Sequence, residues 1–157
     1  MDLSPLPITY QAVIPEEFLD EMGHMNVMWY THLFDRATWN FFSSFRMDQD
    51  YFDNAHAGAF ALEQHTRFLA EVRQGQSVRL QTRALGWSSK RVHFMHFMSV
   101  GEPGSVAATT ELVGIHIDQS TRRSSPFPAQ IAATINQIYI LHQQLDWEAP
   151  VCGVMAP

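Results

Sequence analysis

The sequence predicts an α+β domain in which one long antiparallel sheet curls around a single apolar helix. Three observations lead there. Between Asn26 and about Arg46, large apolar side chains recur at helical spacing and spread onto neighbouring positions. From Gly58 to Ile117 the apolar period drops to two, the signature of strands with one buried face. The 157 residues, 46% hydrophobic and 17% charged, are enough for one compact core, taken here as residues 1–145, with 146–157 as an irregular tail.

Ile8 to Ile14 forms a short opening strand closed by Pro15. Asn26 caps the helix, whose stripe is Tyr30, Phe34, Ala37, Phe41 and Phe45. Val27, Met28, Trp29, Leu33 and Trp39 widen that stripe, so the helix needs structure on more than one side. The acidic stretch Met47 to Asn54 is expected to be a loop or a single helical turn. Four strands follow, about Gly58 to Glu71, Ser77 to Trp87, Arg91 to Val100 and Val106 to Ile117. The breaks Gln74-Gly75-Gln76, Ser88-Ser89-Lys90 and Gly101 to Ser105 have hairpin length, which predicts strands pairing in chain order. Pro126 and Pro128 end this region, and Ile131, Ile135, Ile138, Leu141 or His142, and Leu145 mark a last helix over Ala129 to Leu145. One sheet around one helix leaves edges uncovered, and edge pairing between two copies is the expected remedy.

Composition excludes several function classes. A net charge of −6 argues against general nucleic-acid binding, which needs a basic excess. No run approaches the ~18 apolar residues of a membrane span, and MDLSPLPITYQ lacks the basic and apolar regions of a secretion signal, so a cytoplasmic protein is expected. A lone Cys152 is expected to make neither an internal disulfide nor a cysteine metal site. Charge is nevertheless polarised. Residues 1–66 hold ten acids against Arg36 and Arg46, whereas residues 67–123 hold eight bases against four acids. Lys90 and Arg91, at a hairpin bend, are candidates for gripping phosphates, with Arg73, Arg122 and Arg123 behind them; a solvated turn explains them equally. His93 and His96, three apart on a strand, point to opposite faces, and His24 and His32 lie about two helical turns apart, so no metal site is expected.

The densest polar cluster is Asp20-Glu21-Met22-Gly23-His24-Met25-Asn26, between the first strand and the long helix. A carboxylate four residues before a histidine, next to a glycine and a helix N-terminus, suits attack on a carbonyl: amides stabilise the oxyanion while the carboxylate activates water or attacks directly. A plain capping loop, with Asn26 or Asp20 satisfying the first amides, accounts for the same residues.

Asp20-x-x-Gly23-His24-x-Asn26-x-x-x-Tyr30, followed by Phe34-Asp35-x-Ala37, resembles the signature of hotdog-fold acyl-CoA thioesterases of the 4-hydroxybenzoyl-CoA thioesterase type. Leu62-Glu63-x-His65, Phe68-Leu69-x-Glu71-Val72-x-x-Gly75 and Leu85-Gly86 to Lys90-Arg91-x-His93 look particularly like bacterial betainyl-CoA thioesterases. Many relatives carry an Asp where this chain has Phe18, and a second Asn where it has Val27. The resemblance implies a hotdog fold and hydrolysis of a small acyl-CoA, with coenzyme A as part of the substrate and no other cofactor. It implies Asp20 as nucleophile or general base, Gly23 and His24 as the loop whose amides polarise the carbonyl, and Asn26 and Tyr30 as residues shaping loop and pocket. It also implies a homodimer or homotetramer with sites between subunits, where Glu63 and His65 can face Asp20 from the partner chain.

Strand alternation groups Glu63 with Ala59, Ala61, His65 and Arg67, opposite Phe60, Leu62 and Phe68. Two roles are open to it: an ion pair with Arg67 or His65, or a place in the pocket positioning water or facing a cationic acyl group together with Trp29 and Tyr30. A hotdog enoyl-CoA hydratase or dehydratase and a non-catalytic acyl-CoA-binding dimer are the alternatives to a thioesterase.

Overall fold

The structure is a computed structural model describing residues 1–101 and 104–157. In chain order it contains β1 (Ile8–Val13), a single 3-10 turn (Glu16–Phe18), α1 (Val27–Ser44), α2 (Gln49–Ala55), β2 (Ala57–Phe68), β3 (Ser77–Trp87), β4 (Arg91–Val100), β5 (Ser105–Asp118), β6 (Arg123–Ser124) and α3 (Ala129–Gln143). The sheet is antiparallel, ordered β1-β3-β4-β5-β2, with the short β6 beside β5. Among the described residues no helix is long and apolar enough to cross a membrane.

The apolar stripe of α1 is buried in the curl of the sheet. Tyr30, Leu33, Phe34, Ala37, Phe41 and Phe42 are all buried, and Phe41 and Phe42 meet Phe94 of β4 at ring-centroid distances of 5.3 and 5.9 Å. Truncating Phe41 to Ala would remove this contact at a cost of about 3–5 kcal/mol. The same inner face carries a polar thread. His96, fully buried, joins Thr82 Oγ1 (2.7 Å from Nδ1) to Thr38 Oγ1 of α1 (2.8 Å from Nε2). Thr82 in turn meets Thr9 Oγ1, which donates to the Leu80 carbonyl. Every polar atom of the thread is satisfied, which is the condition for burying it.

The outer face is covered by the segment after α3. Trp147 packs edge-on to Phe97 and lies under the Arg83 guanidinium, 4.3 Å from its centroid, while Arg83 donates to the Trp147 carbonyl at 2.6 Å. Residues 146–157 contain neither helix nor strand.

Three expectations are corrected. β2 and β3 are not hairpin partners: β2 pairs with β5, at the far edge of the sheet from β1. The Gln74-Gly75-Gln76 turn instead meets the end of β1, with Gly75 N–H donating to the Ile14 carbonyl and Ile14 N–H to that of Gln76. β2 also ends at Phe68 rather than Glu71, because residues 69–76 leave the strand to cross past the N-terminus of α1, where Val72 accepts from Met25 N–H. Finally, Met47 to Asn54 holds most of a seven-residue helix, α2, because Asp48 caps it by accepting from Tyr51 N–H. Of the predicted connection Gly101 to Ser105, residues 102–103 lie outside the described residues; β4 and β5 on either side of it do pair.

Candidate active site

The loop before α1 is a tight, hydrogen-bonded structure. Leu19 and Met25 form an antiparallel bridge, Asp20 N–H donates to the His24 carbonyl, and Gly23 N–H donates to the Asp20 carbonyl, each at 3.0 Å. Gly23 turns the chain at φ +79°, a conformation that costs an L side chain energy, although its missing Cβ would meet nothing within 4 Å. Asn26 caps α1 by accepting from Met28 N–H at 2.9 Å. Met25 N–H on Val72 then ties the loop to the crossing segment after β2.

Within this loop Asp20 Oδ1 accepts from Met22 N–H at 2.9 Å, and Oδ2 lies 3.4 Å from His24 Nδ1. The Asp20 side chain is 26% exposed and that of His24 34%, so the pair sits at a surface opening rather than in the core. Among the described residues the N–H of His24 donates to no group. The opening is a cleft of about 440 Å³ lined by Asp20, His24, Asn26, Tyr30, Phe68 and Glu71, among others. Tyr30 forms its floor, edge-on to Phe68 at 5.1 Å, and burial holds the Tyr30 phenol above its ordinary pKa, so it stays protonated. A carboxylate, an unpaired N–H and the start of an 18-residue helix thus converge on one accessible cleft.

The structure therefore brings Asp20, Gly23, His24, Asn26 and Tyr30 together. It separates Glu63 and His65 from them. β2 carries a bulge between Ala61 and Glu63, which reverses the alternation that the sequence suggested. Ala61 opposes Gly114 on the inner face, whereas Glu63 and His65 oppose Val113 and Glu111 on the outer face, away from α1 and its cleft. Within one chain Glu63 therefore does not join Tyr30 at the cleft, and Trp29 stacks on Phe18 with centroids 3.7 Å apart.

Lys90 and Arg91 sit at the other end of the sheet from Asp20. Lys90 Nζ reaches Ser124 Oγ at 3.0 Å, and Arg91, whose buried Nε has no hydrogen-bond partner, opposes Ile115, itself opposite Phe60 near the start of β2. Asp20 lies by Phe68, at the end of that strand, roughly 25 Å of extended chain away.

The sequence allows Trp39 and Phe42 to line a ligand slot, although core packing is the commoner role of such residues, and in the groove between α1 and β2 both do line one. A cavity of about 150 Å³ is lined mainly by apolar groups, with Asp35, Thr38, Trp39 and Gln64 among its walls. Asp35 and Trp39 are one helical turn apart on the α1 flank facing β2, and only their i, i+4 spacing in the sequence hints at the place of Asp35 in it.

A family profile described as the thioesterase-like superfamily matches residues 13–135. A betainyl-CoA thioesterase of Pseudomonas aeruginosa is 29% identical over 143 residues, covering 91% of this chain and 90% of that protein. A Rhizobium meliloti L-carnitine dehydrogenase/betainyl-CoA thioesterase is 30% identical over 129 residues; the match takes in 82% of this chain and 26% of that longer protein. Among solved structures, a Staphylococcus aureus protein in complex with CoA superposes with a TM-score of 0.86 at 25% identity, covering 97% of this chain and 96% of the other.

Proposed function

The chain belongs to the thioesterase-like superfamily, and from that premise we propose that it hydrolyses the thioester of a small acyl-CoA, with Asp20 acting at the carbonyl carbon. The observation that carries this is the Asp20 carboxylate held at the mouth of a cleft, beside the unpaired His24 N–H, where α1 begins. Met22 N–H fixes Oδ1, which leaves Oδ2 as the reacting oxygen. The carbonyl oxygen takes the His24 N–H, and the helix terminus stabilises the negative charge that develops there. With Asp20 as general base, water adds to the carbonyl carbon, the C–S bond breaks, and the proton taken from water passes to the departing thiolate. With Asp20 as nucleophile, the carboxylate adds to the carbonyl carbon and the C–S bond breaks to leave a mixed anhydride and the coenzyme A thiolate. Water then cleaves the anhydride, restoring the Asp20 carboxylate and supplying the proton that the thiolate takes up; both routes give the free acid and coenzyme A. Neither needs a cofactor besides the substrate's own coenzyme A.

A homodimer completes the site in this reading. β2 is an edge strand with Phe60, Leu62 and Phe68 about half exposed along it. Pairing two β2 edges antiparallel would set the start of one against the end of the other. The partner's Lys90 and Arg91 would then approach the cleft that holds Asp20 and supply cations for the coenzyme A phosphates. Betainyl-CoA, or a related short polar acyl group, is the proposed substrate. Its support is the named Pseudomonas relative together with the carboxylate and indole of Asp35 and Trp39 in the α1–β2 cavity, groups suited to a quaternary ammonium. The single free thiol, Cys152, accords with a cytoplasmic setting.

Thiol release from betainyl-CoA, neutral short-chain acyl-CoAs and aromatic acyl-CoAs tests the proposal. Release that is fastest with betainyl-CoA and is lost in Asp20→Asn is expected. No release from any thioester, with coenzyme A still bound, would replace the enzyme with a binding protein; water addition to an enoyl-CoA without thiol release would make it a hydratase.

A further inference from the structure

We propose that His65, Glu111 and Cys152 form a zinc site on the outer face of the sheet, separate from the Asp20 cleft. Their ligating atoms, an imidazole nitrogen, a carboxylate oxygen and a thiol sulfur, all lie within 4.8 Å of one another. They come from three parts of the chain: β2, β5 and the tail after α3. This juxtaposition runs against the absence of a metal expected from sequence spacing, and it exists only because the tail folds back over the sheet.

The charge balance of Glu111 points the same way. Its carboxylate is 1% exposed, yet among the described residues no Lys or Arg forms an ion pair with it. Oε1 contacts His93 Nε2 at 2.8 Å and Oε2 accepts from Cys152 N–H at 2.6 Å. His93 sits on Oε1 only, so Oε2, the oxygen on the Cys152 side, faces no cationic side chain among the described residues. A divalent ion at Oε2 places a cation on that oxygen and leaves His93 to hold the other, as outer partners of metal ligands do.

The nitrogen, oxygen and sulfur donors suit zinc, which accepts all three in tetrahedral sites. Tetrahedral donors sit ~3.3–3.8 Å apart, so the trio must draw in by about 1 Å. His65 is exposed and Cys152 belongs to a segment without helix or strand, so both are placed to move. Pairing of β2 edges through backbone groups would leave the His65 face open. The ion would staple the tail, otherwise held through Trp147 and through Pro157 against Gly86, to the far edge of the sheet.

The reduced full chain, stripped with chelator, is titrated with Co²⁺ and then Zn²⁺. One equivalent per chain with a thiolate-to-cobalt charge-transfer absorption, lost in Cys152→Ser, is expected. Zinc displaces the cobalt, and His65→Ala weakens zinc binding at least about tenfold. Because both variants alter positions outside the core, their folding is checked by circular dichroism and their basal thiol release should be unchanged. Absence of the charge-transfer absorption in wild type would overturn the site, as would undiminished zinc affinity in a His65→Ala, Cys152→Ser double variant. Neither outcome bears on whether the chain is a thioesterase.

Discussion

Acidification from pH 7 to pH 5 should weaken the fold by about 4 kcal/mol through two histidines that the structure keeps neutral. His96, fully buried between Thr82 and Thr38, has its pKa lowered to about 3 by burial. His142 is lowered to about 4 by burial and by the charge of Arg83, and its Nδ1 accepts from Ala84 N–H at 2.8 Å. In the unfolded chain both return to ~6.5. Between the two sets of values the unfolded state binds more protons, so stability is full above about pH 6.5 and falls as the pH drops below it. At ~1.4 kcal/mol per pH unit, over the ~1.5 units from 6.5 to 5, each histidine costs about 2 kcal/mol. His116, lowered chiefly by its own burial, adds in the same direction. Urea unfolding at pH 7, 6 and 5 measures the loss. His142→Asn keeps an acceptor for Ala84 and removes the titration, so its loss over the same interval should be about half that of wild type. An equal loss in the variant, or none in wild type, would refute the assignment.

Gly23→Ala should lower stability by about 1 kcal/mol through backbone strain alone, since its Cβ has open space, and a modest drop in melting temperature with a larger drop in kcat would place the turn's shape in the reaction. Lys90→Ala with Arg91→Ala should raise KM for acyl-CoA about tenfold or more with kcat little changed, an effect that fades at high salt; unaltered KM would remove them from phosphate binding. Asp35→Asn should cut the preference for a cationic over a neutral acyl group about tenfold, read as the ratio of kcat/KM values, and an unchanged ratio would put the acyl group elsewhere.

Much of the architecture was legible because it rests on periodicity. The α1 stripe from Tyr30 to Phe42 and the alternation Val78, Leu80, Thr82, Ala84 in β3 follow from which side chains must leave water. The opposite orientations of His93 and His96 were legible for the same reason, and the structure sets one against Glu111 and the other against Thr38. Strand order was not legible, because a Gly75 turn between two alternating runs looks like a hairpin whether or not the flanking strands pair. The bulge after Ala61 defeated the placement of Glu63 and His65: one extra residue reverses every later side chain, and nothing in Ala-Leu-Glu announces it. The Asp20 loop could be read as a local motif, whereas the meeting of His65, Glu111 and Cys152 depends on how a structureless tail packs, which no local pattern encodes.

The most direct test is to compare turnover of Asp20→Asn and Glu63→Gln on the best acyl-CoA, with circular dichroism confirming that both fold. A carboxylate acting at the thioester carbon should make Asp20→Asn slower by about a thousandfold, within the range for losing a general base, while Glu63→Gln on the outer face stays within a few-fold of wild type. Full activity in Asp20→Asn, or loss of turnover confined to Glu63→Gln, would contradict the account.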